Sequence, residues 1–162
     1  AIRHTGCILL DLIPSVYSAE RIIRVRGEDG SDRAVTVNKE GILMPNGMYQ
    51  RYPNLKKFKD KDGKEQYIYD SRRGSVKLYG GKLTENICQG LARCIIGEQM
   101  IQIEKRYRVA LTVHDAIACV VPIDQADEAR AYIEQCMSTP PEWADGLPLS
   151  CESGMADNYG DC

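Results

Sequence analysis

The stretch that decides the fold is Val109-Ala110-Leu111-Thr112-Val113-His114-Asp115-Ala116-Ile117-Ala118-Cys119-Val120-Val121. Two apolar, β-branched runs flank the polar pair His114-Asp115, so we predict that residues 109–113 and 116–121 pair as an antiparallel hairpin. Two-residue hairpin turns favour Gly-containing pairs, because their backbone needs a positive φ. His-Asp suits that geometry poorly, and a poor local choice at an apolar hairpin tip indicates a functional demand.

The polar tip of this hairpin has two interpretations. A carboxylate held rigidly at a strand end suits a hard divalent cation such as Mg²⁺, which makes Asp115 a candidate metal ligand. The alternative is a solvent-exposed turn that happens to be polar. The residues alone favour neither interpretation.

The clearest helix in the sequence precedes the hairpin, and we predict it from Thr84 to about Tyr107. Thr84 is the predicted N-cap, and Glu85 lies in the first turn, where the helix dipole favours an acid. The predicted buried stripe recurs every four residues, at Ile87, Leu91 and Ile95.

The opposite side of this helix carries long polar side chains. Their spacing places them on one face, and they are Lys82, Glu85, Gln89 and Arg93. Such a stripe is normally only solvated. A mixture of long hydrogen-bonding side chains can equally contact a ligand, so both interpretations remain open.

Other elements complete an α+β domain with antiparallel pairing. Upstream, we predict a hairpin within residues 21–37, a turn at 44–47, a strand-like segment at 48–52, a polar turn at 59–64 and a return strand at 66–69. Downstream, a second helix runs from about Ile123 to Met137, with Asp124 as its N-cap and Thr139-Pro140-Pro141 as its end. Residues 147–154 are a predicted short final strand.

Size and composition limit the class of protein. The chain has 162 residues, of which 43% are hydrophobic and 27% are charged. At roughly 150 residues per domain, this predicts one domain or a domain with an appendage. The formal charge of −2 excludes an overall basic coat. No apolar run approaches the ~18 residues of a membrane span, and no secretory signal is expected.

Charge is unevenly distributed along the chain. The stretch from Arg51 to Lys82 has ten basic and four acidic residues, whereas Val121 to Cys162 has nine acids and one base, Arg130. This asymmetry indicates a polyanion-facing side, although a Lys-rich run is often only a solvated loop.

The seven cysteines include no Cys-x-x-Cys pair. We therefore expect reduced, buried thiols rather than a disulfide framework or a zinc site.

Four segments in unbroken order resemble the C-terminal palm of phage-type family A DNA polymerases. They are LMPNGMYQRYPNL at 43–55, KLYGGKLTENICQGLAR at 77–93, LTVHDAIACVVP at 111–122 and PPEWADGLPLSCESGMADNYGD at 140–161. The resemblance covers residues 41–162. It implies an antiparallel palm-type sheet, with a motif-bearing β-hairpin packed on two helices. It also implies a role in DNA replication by metal-dependent nucleotidyl transfer.

The resemblance implies roles for individual residues. Asp115 matches the metal-binding aspartate of the last palm motif, with Mg²⁺ as the cofactor in a two-metal site, and His114 matches its neighbour at the primer terminus. Gln89 matches a glutamine that contacts DNA in the minor groove. The expected DNA-binding residues are Lys82, Glu85, Gln89, Arg93, Arg72 and Arg73. The expected partners are primer–template DNA, dNTP and the missing polymerase half. The expected location is the cytoplasm of a phage-infected or prophage-carrying bacterium.

The sequence departs from the family pattern in two ways. Ala116 stands where the family usually has a glutamate, which is the auxiliary carboxylate. The second palm aspartate and the fingers helix are also absent from the 162 residues. Two-metal chemistry needs both carboxylates to hold the ions about 3.5–4 Å apart. We therefore expect this chain to be inactive in isolation.

The first forty residues resemble a different family. HTGCILLDLIPSVYSAERIIRVRGEDGSDRAVTVN, at 4–38, resembles a segment of the portal proteins of short-tailed phages. We therefore divide the chain into a portal-like segment at 1–40 and a palm fragment at 41–162. The alternatives to a polymerase are a non-catalytic DNA-binding remnant and a portal-derived phage structural protein.

Overall fold

The fold is α+β, as the sequence predicts, and the described residues form antiparallel sheets and two α-helices. It is seen in a computed structural model. The structure describes the backbone of residues 21–26 and 32–38, and both backbone and side chains of residues 40–161. The described residues belong to two compact units, 1–91 and 92–162. These units do not test the domain boundary at residue 40, which stays a prediction.

The first unit contains a four-stranded antiparallel sheet. Its strands are β1 (Arg21–Arg26), β2 (Asp32–Asn38), β3 (Gly41–Leu43) and β4 (Tyr49–Gln50). The β1–β2 pairing confirms the hairpin predicted within 21–37, whereas its turn at 27–31 and the portal-like residues 1–20 lie outside the described residues. The predicted turn after Met44 is also confirmed, since the Gly47 amide donates to the Met44 carbonyl at 2.9 Å.

A second antiparallel sheet in this unit joins β5 (Lys56–Lys59), β6 (Glu65–Ser71) and β7 (Gly74–Leu78). The sequence predicts the polar turn and the return strand β6. It misses β5 and β7, because Lys-Lys-Phe-Lys and Gly-Ser-Val-Lys-Leu lack the β-branched alternation typical of strands. Asp60 shapes the β5–β6 turn by accepting a hydrogen bond from the Lys64 amide at 2.8 Å.

Helix α1 (Gly80–Glu104) begins four residues before its predicted start. Thr84 is therefore not an N-cap, and Glu85 is not in the first turn. The Thr84 hydroxyl instead donates to the Gly80 carbonyl one turn back, at 3.0 Å, which is the usual arrangement of a threonine inside a helix. The helix also ends before Tyr107.

The buried positions of α1 do not follow the predicted stripe. Ile87, Leu91 and Ile95 are only half-buried. The buried side chains are those of Leu83, Cys94, Gln99 and Ile103. Leu83 lies in one compact unit and Ile103 in the other. Because the helix contributes to two units, a single period of four residues does not describe what it buries.

Met44 packs against α1 at Gly90. A Cβ atom at position 90 would lie 2.7 Å from the terminal methyl carbon of Met44. This distance is shorter than real Cβ contacts, and Met44 is buried. The missing side chain of Gly90 therefore makes the space that Met44 fills.

The second unit contains β8 (Val109–Val113), β9 (Ala116–Cys119) and α2 (Ala126–Ser138). β8 and β9 pair antiparallel, which confirms the predicted hairpin, with an irregularity between Val109 and Leu111. The core of this unit joins the end of α1, the hairpin and α2. It comprises the buried residues Ile103, Tyr107 and Ala129, packed against Val109, Ile117, Cys119, Val121, Tyr132, Ile133, Cys136 and Met137.

Helix α2 differs from its prediction at its start. A 3₁₀ turn, Ile123–Gln125, precedes it, and Asp124 lies within that turn. Asp124 is therefore not the N-cap, a position that Gln125 takes without a side-chain hydrogen bond. The predicted end is confirmed at Thr139, whose extended backbone suits a residue before a proline.

The predicted final strand at 147–154 is wrong, because these residues form no strand. Two of them hydrogen-bond to α2 instead of to a sheet. The Cys151 thiol lies 3.6 Å from the Glu134 carbonyl, and the Ser153 hydroxyl donates to the Glu134 carboxylate. Pro148 also lacks the amide that a paired strand needs.

The described cysteines are free thiols: Cys88, Cys94, Cys119, Cys136 and Cys151. Only Cys94 is fully buried, and Cys88 is exposed, so the expectation of buried thiols is correct only in part. Burial raises the pKa of the Cys119 thiol, and the nearby Glu104 charge raises it further.

Candidate functional site at the β8–β9 hairpin

His114 and Asp115 form the two-residue tip of the hairpin, between the paired residues Val113 and Ala116. Both tip side chains are exposed. The hairpin is positioned from within the second unit, where Ile117 and Cys119 pack into the core. The structure therefore places the predicted carboxylate at the exposed end of two strands.

The backbone of the tip is unfavourable for its sequence. His114 has a φ of +55°, in the left-handed region, and it is one of two non-glycine residues with a positive φ among the described residues. Glycine is typical of such a turn position, whereas other residues there cost of order 1–3 kcal/mol. This is the strain that the sequence His-Asp predicts, and strained positions are concentrated at functional sites.

Asp115 lacks neighbouring ligands that would complete a metal site. Within residues 40–161, no group of three or more His, Cys, Asp or Glu side chains is placed to hold a metal ion. The residues present in the described part of the chain therefore do not fit a two-metal site by themselves. Asp115 offers one carboxylate, and Ala116 adds no oxygen ligand.

The hairpin also exposes an apolar face, which was not predicted from the sequence. Leu111 pairs with Ala118, and Val113 pairs with Ala116, so these four side chains share one face. Leu111 is 40% exposed and Val113 is 41% exposed. The alternation of these residues with the core residues Ile117 and Cys119 was the signal available in the sequence.

The polar residues of α1 interact with one another. Lys82 Nζ lies 3.1 Å from both carboxylate oxygens of Glu85, and Gln89 Nε2 lies 3.4 Å from Glu85 Oε1. Arg93 is exposed one turn after Gln89 on the same helix. The predicted polar stripe, which comprises Lys82, Glu85, Gln89 and Arg93, is therefore present on the helix surface. Within it, Glu85 contacts both Lys82 and Gln89.

Arg72 and Arg73 occupy the turn between β6 and β7. Both are exposed, and the Arg73 amide donates to the Ser71 hydroxyl at 3.2 Å. Neither guanidinium forms an ion pair within the described part of the chain. Their charges are therefore available to a phosphate.

A comparison with known proteins relates the chain to a phage polymerase. The chain is 30% identical over 131 residues to the DNA polymerase of Bacillus phage SP02, and the match takes 75% of this chain. It takes 20% of that polymerase, so the chain spans about a fifth of the length of this relative. The similarity therefore concerns only one part of that phage DNA polymerase.

A second comparison relates residues 1–79 to the family described as phage P22-like portal protein. This match extends well beyond the predicted portal-like segment at residues 1–40. Since the polymerase match takes three quarters of the chain, the two matches must share residues. Helix α1, the β8–β9 hairpin and α2 lie outside the portal match.

No solved structure matches the chain. Within the described residues, no helix is both long enough and apolar enough to cross a membrane.

Proposed function

We propose that the chain is a palm region of a phage-type family A DNA polymerase, and that it acts in DNA replication by metal-dependent nucleotidyl transfer. The observation that carries this proposal is the exposed His114-Asp115 pair, at the strained tip of a hairpin held by two helices. The similarity to the polymerase of Bacillus phage SP02 supports the same assignment. On this proposal the chain acts in the cytoplasm of a phage-infected or prophage-carrying bacterium.

In this proposal Asp115 is a ligand of Mg²⁺, and His114 lies beside the primer terminus. Two-metal nucleotidyl transfer requires a second carboxylate, and the described residues include no group of three or more His, Cys, Asp or Glu side chains that could hold a metal ion. The reaction therefore depends on an aspartate from another part of the polymerase. The exposed tip leaves Asp115 accessible to such a partner.

The apolar face of the hairpin supports the need for a partner. Leu111, Val113 and their paired alanines leave apolar surface in contact with solvent. The β8–β9 sheet also has only two strands within the described residues, so the outer edges of both strands remain unpaired. A strand from the missing polymerase half would cover this surface and bring the second carboxylate to the same end.

The polar stripe of α1, called the α1 stripe below, and the β6–β7 turn are the proposed DNA-binding elements. Gln89 would contact the minor groove, where acceptors look alike for A·T and T·A pairs. Lys82, Arg93, Arg72 and Arg73 would contact phosphates. Glu85 would position Lys82 and Gln89, which it contacts in the free chain. On this proposal the substrates are primer–template DNA and dNTP.

A templated-incorporation assay tests this function. The purified chain should incorporate no nucleotide with Mg²⁺, because the partner carboxylate is missing. Addition of a polymerase fragment that carries the second palm aspartate and the fingers helix should produce incorporation, and Asp115→Asn should abolish it. Asp127→Asn, an exposed change in α2, is the matched control and should leave incorporation intact. Incorporation by the chain alone that Asp115→Asn removes would refute the missing-partner explanation.

A metal-binding measurement tests the role of Asp115 without requiring activity. Mn²⁺ in place of Mg²⁺ should broaden the amide resonances of residues 113–116 in an NMR spectrum. Asp115→Asn should remove this broadening, whereas Asp127→Asn should not. Equal broadening in the wild-type chain and the Asp115→Asn variant would show that the tip does not bind the metal.

A non-catalytic DNA-binding remnant is the first alternative function. It keeps the α1 stripe and the basic turn, but it assigns no chemistry to Asp115. The complementation assay separates the two functions, since a remnant would bind DNA and remain inactive with the added fragment.

A portal-derived phage structural protein is the second alternative, and the family match to residues 1–79 favours it. Flanking genomic sequence distinguishes these functions. An upstream reading frame with the second aspartate and the fingers helix would support a split polymerase. Adjacent capsid genes, together with recovery of the chain in purified phage particles, would support the structural function.

A further inference from the structure

The outer face of the β5–β7 sheet combines lysines with an aromatic ring. We propose that this face binds single-stranded nucleic acid, with Phe58 stacking on a base and with Lys56 and Lys77 contacting phosphates. The inference goes beyond the proposed function, because none of these residues lies in the hairpin or on α1. It therefore stands whether or not Asp115 binds a metal.

The strand register places the three residues on one face. Lys56 lies opposite Ile68, and Ile68 lies opposite Lys77, so these side chains form a row across the sheet. Phe58 is two residues from Lys56 and therefore points to the same side. The row and the ring together span all three strands.

Burial shows which side of the sheet faces solvent. Tyr67 and Leu78, which lie opposite each other, are buried on the other face. Lys56 and Lys77 are exposed, and Phe58 is half-buried. The face that carries Lys56, Phe58 and Lys77 is therefore the more accessible one, although Lys57 and Lys59 are exposed at the edge of the other face.

The aromatic ring is placed beside a cation. Lys77 Nζ lies 5.9 Å from the centroid of the Phe58 ring. Tyr79, two residues after Lys77, is 60% exposed and adds a second aromatic side chain next to the sheet. Base–aromatic stacking beside lysines is how proteins bind single strands without sequence preference.

Both turns of the sheet extend the positive charge. Lys61 and Lys64 lie in the β5–β6 turn, and Arg72 and Arg73 lie in the β6–β7 turn. None of them forms an ion pair with any described residue. A strand crossing the face would therefore meet unpaired cations at either end.

The acids near this face already accept hydrogen bonds. Asp70 accepts from Asn54 at 2.8 Å and from Ser75 at 2.9 Å. These bonds, together with the Lys56 charge, lower the pKa of Asp70. Asp60 likewise accepts from the Lys64 amide in its own turn. Asp70, two residues after Ile68 and so on the same face, therefore keeps its negative charge, and its oxygens are occupied by these donors. Basic side chains still outnumber acidic ones across residues 56–78, by eight to four.

The arrangement favours a single strand over a duplex. A half-buried ring on a sheet reaches a base only when that base is unpaired, whereas a duplex offers the sheet its phosphates alone. Lysines without the ring would bind both forms by charge. The contribution of Phe58 therefore distinguishes the two partners.

The test is fluorescence anisotropy at low salt with a labelled oligothymidylate of about 15 nucleotides, near the largest site sizes of a small domain. The same length of duplex serves as the competing partner. We expect the single strand to bind more tightly. Phe58→Leu, which removes the ring and keeps an apolar side chain, should raise the Kd for the single strand by about tenfold. Phe58→Tyr should retain binding.

Salt dependence tests the lysines. Lys77→Gln and Lys56→Gln should each reduce the log–log salt slope by about 0.7. Lys57→Gln is the matched control, because Lys57 is on the same strand but points to the opposite side and pairs with Glu65 at 3.7 Å. It should leave the slope unchanged.

Three results would overturn the inference. The first is no binding of the single strand at low salt. The second is equal binding of single strand and duplex with Phe58→Leu indistinguishable from wild type, which would reduce the face to a nonspecific cationic surface. The third is an equal loss for Lys57→Gln and Lys77→Gln. Each variant should unfold at the same midpoint temperature as the wild-type chain. This control shows that a loss of binding does not come from a loss of folding.

Discussion

The side-chain amide of Gln99 on α1 donates a hydrogen bond to the carbonyl oxygen of Met137 on α2, at 2.7 Å. A second, longer contact of 3.4 Å joins the same nitrogen to the Thr139 carbonyl. The last carbonyls of a helix have no partner within the helix. Gln99, which is only 4% exposed, therefore supplies the missing donor at the end of α2.

Replacing this amide should destabilise the second unit. We expect Gln99→Leu to lower the free energy of unfolding by about 0.5–1.5 kcal/mol, since it removes the hydrogen bond from Gln99 to the end of α2. Urea unfolding followed by the fluorescence of Trp143, the only tryptophan, measures it. Gln135→Leu, at an exposed position of α2, is the control and should have little effect. Equal stabilities of the two variants would show that the Gln99 amide does not act as a cap.

The strained tip predicts opposite effects for two substitutions of His114. His114→Asn should preserve or raise stability, because asparagine tolerates a positive φ. His114→Val should lower the free energy of unfolding by about 1 kcal/mol or more, because a β-branched residue disfavours that region. The same Trp143 measurement applies. If both variants proved equally stable, the positive φ of His114 would be wrong.

Acid should weaken the attachment of residues 151–153 to α2. The hydrogen bond from Ser153, followed by that from Arg130, holds the pKa of Glu134 below its usual value. A lowered pKa stabilises the fold above the usual glutamate pKa of about 4.3, and this contribution is lost as the pH falls through the lowered value. Ser153→Ala should therefore reduce stability at neutral pH and converge with wild type in acid. Ser150→Ala, the control, should follow wild type at every pH.

Binding of duplex DNA should be weak and sensitive to salt. Charge reversal at Arg72 and Arg73 should flatten the log–log salt slope, which is about −0.9 per neutralised phosphate. Gln89→Ala should lower affinity with little change in slope, since a neutral amide releases no counterions. Anisotropy titrations over a range of salt concentrations measure both. An affinity that changed neither with salt nor with the substitutions at Arg72, Arg73 and Gln89 would exclude the proposed DNA-facing surface.

The hairpin was predictable because its apolar runs and polar break are encoded within thirteen consecutive residues. The start of α1 was not, since Gly80-Gly81 resembles a loop, while Thr84 has the side chain of an N-cap and uses it inside the helix. Strand β5 was hidden by its lysines, which face solvent on both sides of an edge strand. The failed strand at 147–154 had a suitable apolar pattern, but its polar groups bind α2 instead.

For the candidate site, the sequence predicted the position of Asp115 and the conflict between His114 and its turn. It did not reveal the exposed apolar face, because Leu111 and Val113 look like core residues until the packing of Ile117 is known. The roles assigned to Asp115, His114 and the α1 stripe rest on resemblance. They stay predictions that the assays described above address.

The contact between Met44 and Gly90 has an evolutionary consequence. Alanine at position 90 would favour the helix by about 1 kcal/mol relative to glycine, but only if the Met44 methyl group moves away. Methionine has the flexibility to do so, whereas a stiff isoleucine at 44 would not. The volumes of these two positions should therefore vary together among descendants of this chain. Substitutions that enlarge residue 90 should become acceptable only in lineages that keep a flexible or smaller residue at position 44.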